Sequence, residues 1–333
     1  MIISPAIIAL TIGSILIVLI TGYASVIGMQ ILLWWDIQSG SDRQLQLERK
    51  TYLISTVLSY VMAFELASLF LFVYAADHMH GLFIGAMCAA GTLNANDWGY
   101  PALVLKTVNF LACGVWLIVN YLDNRGFDYP LIKFKYRWLL VISLLLILET
   151  LLQSGYFFEL RPDVITSCCG AMFNASAQNL VAELAHLPPR LAEIVFYLSV
   201  VLMLRTGIQF YIKGTGAFVF SCFSLWLFGA SFAAIISFVS VYVYELPTHH
   251  CPFCLIQKEY HYIGYPLYAA LFCAGITGAG VGVIDRFRNI ASLQETLPVM
   301  QKRLCLISMI CYSIFTALAT YPVLFSGFTL TGS

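Results

Sequence analysis

Cys251 and Cys254 stand three residues apart in ELPTHHCPFCLIQKEYHYIGYPLY, residues 245–268, directly after His249 and His250. Thiols at this spacing can cycle between dithiol and disulfide, hold a metal, or staple a loop. The thiolate is both the nucleophile of exchange and a metal ligand. The flanking imidazoles add positive charge or carry a proton. Pro252 suits a first helical turn, so the spacing predicts that the CxxC motif opens the helix that follows. There the unpaired N–H groups and the helix dipole stabilise thiolate.

Two further stretches carry the same residue types. His78, Met79 and His80 precede the GAMC of residues 85–88, which ends on Cys88, and CCGAM at 168–172 begins with Cys168 and Cys169. Adjacent cysteines bridge to each other only through a strained ring, so Cys168 and Cys169 are expected to find partners in other loops. Five such thiols cannot all pair among themselves. The odd one suits a relay in which a mixed disulfide passes from pair to pair. It equally suits a soft-metal site, for which His78, Met79, His80, Cys88, His249 and His250 are the donor types that Cu(I) prefers. A closed zinc site would draw four ligands from distant loops, and there is no second CxxC.

The elements that must position these residues are read from hydropathy. Of 333 residues 60% are hydrophobic and only 10% charged, and mean hydropathy is +0.85. A soluble chain carries about a quarter charged residues, so lipid is the expected solvent for most of this surface. Net charge is zero and no basic run occurs, which excludes nucleic acid as a partner. Apolar runs long enough to cross a bilayer fall at about 7–32, 52–74, 101–121, 138–158, 191–210, 217–243, 262–284 and 304–326. The first has no basic n-region and is read as a retained helix. The expected fold is an all-α polytopic membrane bundle of eight transmembrane helices, a single integral domain over 1–333, because helices satisfy their own backbone groups in lipid.

Arg43, Arg49, Lys50, Arg125, Lys133, Lys135, Arg137, Arg205, Lys213, Arg286, Arg288, Lys302 and Arg303 all fall to one side of this arrangement. The positive-inside rule makes that side cytoplasmic and puts both termini outside. The outer loops, about 75–100, 159–190 and 244–261, then hold Cys88, Cys168, Cys169, Cys251 and Cys254, and the inner loops hold no cysteine. In a bacterial inner membrane the outer face is the periplasm, where disulfides persist. Cys113, Cys222, Cys273, Cys305 and Cys311 fall in spans and are read as small packing residues. Glu65 and Glu149 also fall within spans. Ionisable groups at that depth mark a proton route or are paired, with Lys106 the available partner.

The stretch CPFCLIQKEYHYIGYPLYAALFCAGITGAGVG, within residues 245–285, resembles the first redox segment of the bacterial inner-membrane disulfide-bond oxidases. The matching residues are Cys251, Cys254, Leu255, Ile256, Gln257 and Lys258. The vitamin K epoxide reductase group is similar, with CxxC at the outer end of a helix beside a quinone. The resemblance implies that Cys251 and Cys254 exchange electrons with quinone. It also implies that Cys88, Cys168 or Cys169 meets a periplasmic thioredoxin-fold partner. The likeness covers about a tenth of the chain; those families have a four-helix core and an Arg where Lys258 stands.

Three readings follow. The first is a membrane thiol–disulfide oxidoreductase. The second is a copper or soft-metal protein served by a metallochaperone. The third is a non-catalytic membrane subunit whose disulfides brace its loops.

Overall fold

A computed structural model of the protein describes residues 4–161 and 188–328, and no strand occurs among them. Eight helices in the described residues are long and apolar enough to cross a membrane. They are α1 (Pro5–Trp34), α2 (Asp42–His78), α3 (Gly99–Asp123), α4 (Ile132–Glu159), α5 (Pro189–Lys213), α6 (Ala217–Ala234), α7 (Gly264–Asp285) and α8 (Thr296–Phe325). Each contains or closely overlaps one of the apolar runs, so the all-α polytopic membrane class stands. The widest discrepancy is α2, which starts ten residues before its apolar run. Its first turns read DRQLQLERK, residues with good helix propensity that extend the helix beyond its apolar part.

The chain forms two compact units. The first comprises Met1–Ala75, Ala95–Arg161 and Phe287–Leu297. In it α1 and α3 both pack on α4, around a core that includes Ile27, Leu58, Met62, Trp116, Tyr136 and Leu139. The turn from α3 into α4 is pinned by a buried ion pair. Lys135 Nζ donates to Asp123 Oδ2 at 2.6 Å, and Asp123 Oδ1 accepts from the Leu131 amide at 2.8 Å. Lys135, one of the basic residues used to orient the chain, is therefore an internal counter-ion with no solvent exposure.

The second unit comprises Ala76–Asn94, Pro162–Arg286 and Pro298–Ser333. In it α6 packs on both α5 and α7. The α6–α7 contact combines aromatic packing of Phe228 and Phe232 on Phe272 with small residues that let the backbones approach closely, as in helix pairs in lipid. A Cβ on Gly278 would lie 1.9 Å from Ser224 Oγ and 2.9 Å from Ser308 Oγ. The Tyr312 hydroxyl of α8 donates to the Ser224 carbonyl at 2.6 Å. At its far end α6 passes through a π turn, Ile235–Val239, into a last helical segment, Ser240–Tyr244. Glu245 ends it in the left-handed conformation, φ 53°.

The loop that follows departs from expectation. The CxxC motif does not open α7. Residues after it form two 3-10 turns, Cys254–Ile256 and Lys258–Tyr260, then left-handed His261 and Tyr262, and α7 begins only at Gly264. The propensity of Pro252 for a first turn is overridden by tertiary contacts. Gln257 is held extended, at ψ 160°, by hydrogen bonds from its side chain to a different loop. Gly264 is needed because the start of α7 presses on the first 3-10 turn: a Cβ there would lie 2.8 Å from the Leu255 carbonyl carbon.

Candidate functional site

The second unit brings Cys88 into the CxxC loop. Cys88 caps a short helix, Ala89–Leu93, and its Sγ lies 3.3 Å from Cys251 Sγ. The sulfurs of Cys88, Cys251 and Cys254 all fall within 4.8 Å of one another. The three side chains are 0%, 0% and 3% exposed. His249 adds an imidazole at the edge of the group, its Nε2 3.4 Å from Cys254 Sγ.

Hydrogen bonds across the two loops set this convergence. Asp77, at the end of α2, accepts at Oδ1 from the Ala89 amide (3.1 Å), the residue after Cys88, and from Gln257 Nε2 (3.2 Å). Gln257 Nε2 also donates to the Met87 carbonyl at 2.8 Å, so the residue before Cys88 is tied to this CxxC-loop side chain directly and the residue after it through Asp77. The backbone of the motif is held from two helices. The Tyr244 hydroxyl donates to the Cys251 carbonyl at 2.6 Å, and the Tyr268 hydroxyl to the Pro252 carbonyl at 2.7 Å. The Tyr244 ring also packs edge-on against His249, with centroids 4.4 Å apart.

The π turn takes part as well. His250 Nδ1 lies 2.9 Å from the Ile236 carbonyl, which fixes Nδ1 as the donor. A π turn interrupts the regular i to i−4 pattern and so offers carbonyls to side chains. His250 thereby anchors the loop to the π turn.

Of the residues singled out in the sequence, Cys88, Cys251, Cys254 and His249 are brought together. His78 is exposed at the end of α2, Met79 is buried, and the His80 ring Nδ1 contacts the Asp77 carbonyl. Neither His78 nor His80 joins the group of converging donor atoms. Cys168 and Cys169 lie outside the described residues. The motif does not open α7, and the imidazole that meets it is His249, at Cys254 Sγ.

Asp77, Tyr244 and Tyr268 carried no distinguishing signal. Tyrosine occurs 19 times in the chain, and Asp77 reads as the end of a span. Gln257 stood out only through the resemblance. Three thiols in contact with one imidazole at the edge suit two chemistries. One is exchange of a disulfide among neighbouring sulfurs. The other is thiolate coordination of a soft cation, for which metal–sulfur bonds of about 2.3 Å put sulfurs roughly 3.8 Å apart. Compared with protein-family models, curated proteins and solved structures, the chain matches none of them.

Proposed function

We propose that this integral membrane protein is a thiol–disulfide oxidoreductase whose working group is Cys88, Cys251 and Cys254. The observation that carries the reading is the 3.3 Å approach of Cys88 Sγ to Cys251 Sγ beside Cys254. Starting from a Cys251–Cys254 disulfide, the Cys88 thiolate attacks Cys251. The Cys88–Cys251 bond forms, the Cys251–Cys254 bond breaks, and Cys254 leaves as a thiolate that His249 can protonate. That step moves no net electrons. Regenerating a disulfide from two thiols releases two electrons and two protons, which reduce a quinone to its hydroquinone. A thioredoxin-fold protein supplies or accepts the disulfide at the other end, with Cys168 and Cys169 as its candidate contacts. In this reading the thiol loops face the periplasm of a bacterial inner membrane, supported by the basic residues gathered in the other loops.

His249 favours one alternative at the same site. With three thiolates it completes a Cys3His donor set for Cu(I) or another soft cation. Mass-spectrometric thiol mapping with metal analysis on the same native sample separates the two. The redox reading expects little bound metal and Cys251 in a disulfide. It also expects Cys254→Ser to accumulate a Cys88–Cys251 disulfide that quinone cannot exchange onward. Stoichiometric copper, with all three thiols alkylated only after chelation, would overturn it in favour of the metal site.

A further inference from the structure

A second cluster lies inside the first unit, in the membrane-spanning parts of α2, α3 and α4, and the thiol chemistry makes no use of it. Glu65 of α2, Lys106 of α3 and Glu149 of α4 are 2%, 0% and 1% exposed. Lys106 Nζ donates to Glu149 Oε1 at 2.5 Å and to Ser68 Oγ at 3.1 Å, and stands 3.9 Å from Glu65 Oε1. Asn109 Nδ2 donates to the other oxygen of Glu149, Oε2. Ser68 Oγ lies 3.0 Å from both Glu65 Oε1 and the Glu65 carbonyl.

The charges do not balance. Two carboxyl groups face one ammonium. Among the described residues the Cys113 thiol of α3 is a further titratable group near them, and α1, which packs on α4 in this unit, has no charged residue. With both glutamates ionised the cluster would carry one net negative charge away from water, which burial strongly disfavours. Both carboxyl groups face the one Lys106 ammonium. A carboxylate is an acceptor only, so neither glutamate can donate to its neighbours unless it carries a proton.

The partners say which one. Glu149 receives a donor on each oxygen, from Lys106 and from Asn109, as an anion requires. Glu65 has a serine hydroxyl and a more distant ammonium, so of the two it is the less compensated as an anion. A separate observation indicates that the site takes a proton-bearing ligand. Asn109, with no solvent exposure, has its carbonyl oxygen Oδ1 without a donor, although its amide nitrogen is on Glu149. A buried acceptor at that position suits the O–H of a protonated carboxyl or of a water that relays its proton.

We infer that Glu65, Lys106, Glu149 and Asn109 form a proton-binding site within the membrane, holding one exchangeable proton on Glu65. Loss of the proton leaves two carboxylates flanking Lys106, which already stands between them. The site therefore passes between two charge states with little rearrangement, the property of a proton relay station. The inference does not depend on the thiol reading.

Infrared difference spectroscopy of the full chain in phosphatidylcholine vesicles tests it through pH steps. The wild type is expected to show a carboxylic-acid C=O band that disappears as pH rises. Glu65→Gln, which keeps the shape of the protonated acid, is expected to lack that band at every pH. A hydrophobic carbodiimide, which reacts with protonated carboxyls, gives a readout on the unmodified protein: mass spectrometry should find the adduct on Glu65, less of it at higher pH. A wild type without such a band, or with neither glutamate modified, would overturn the inference. A band lost on adding sodium at constant pH would overturn it too, by assigning the site to a metal cation.

Discussion

His249 Nε2 stands 3.4 Å from Cys254 Sγ, and its ring is held edge-on by Tyr244. The CxxC motif does not open α7, and this imidazole meets the Cys254 sulfur, where it can favour the thiolate. Removing it should lower the thiolate fraction of reduced Cys254 near neutral pH. The expected result for His249→Ala is a slower reaction of reduced Cys254 with methyl methanethiosulfonate. The reaction at Cys222, which is exposed and remote from His249 in sequence, should be unchanged. Equal rates at Cys254 in wild type and variant would show that the imidazole only packs there. The neighbouring His250 gives the contrast: it is bound to the Ile236 carbonyl, and His250→Ala should act on the fold of the loop and leave the intrinsic reactivity of Cys254 alone.

At the scale of elements, the site depends on one loop lying against another. Cys88 and Cys251 are 163 residues apart, and the short-range pattern of neither loop predicts that they meet. The pairing rests on Gln257 reaching Asp77 and the Met87 carbonyl, and on Asp77 receiving the Ala89 amide. Gln257→Ala should therefore loosen the loop pair, at about 1 kcal/mol for each hydrogen bond lost. A mild thiol oxidant should then form less of the Cys88–Cys251 disulfide, while the Cys251–Cys254 disulfide, made within one loop, forms as before. An unchanged yield of both would mean that the tyrosine contacts alone hold the loop. The same contacts explain where sequence reading stops. The eight spans are readable because each is a long apolar run, and Lys106 inside a span must find an acid. The expected helix start at Pro252 fails because Gln257 is bound elsewhere, and side-chain contacts between distant loops leave no periodic trace in the chain.

For the whole molecule, the open property is sidedness. In the proposed orientation the connections 35–41, 124–131, 214–216 and 286–295 are cytoplasmic and the cysteine-bearing connections periplasmic. Lys135 is buried against Asp123 and drops out of the charge comparison. Arg43, Arg49, Lys50, Arg125, Lys133 and Arg137 remain near the first two of these connections, against Arg161, Arg190 and Lys258 in the cysteine-bearing ones. Even without Lys135 the bias is large, and the positive-inside rule counts residues close to span ends. Ser41 and Thr248 are both exposed, in connections of opposite expected side. In spheroplasts of a bacterial host, a membrane-impermeant maleimide should label Thr248→Cys before lysis and Ser41→Cys only after it. Each variant is compared with the parent chain to subtract native thiols. Labelling of Ser41→Cys in intact spheroplasts, with Thr248→Cys protected, would reverse the orientation. It would put the three-thiol cluster in a reducing compartment, where a resting disulfide does not persist, and so would also count against the redox reading of Cys88, Cys251 and Cys254.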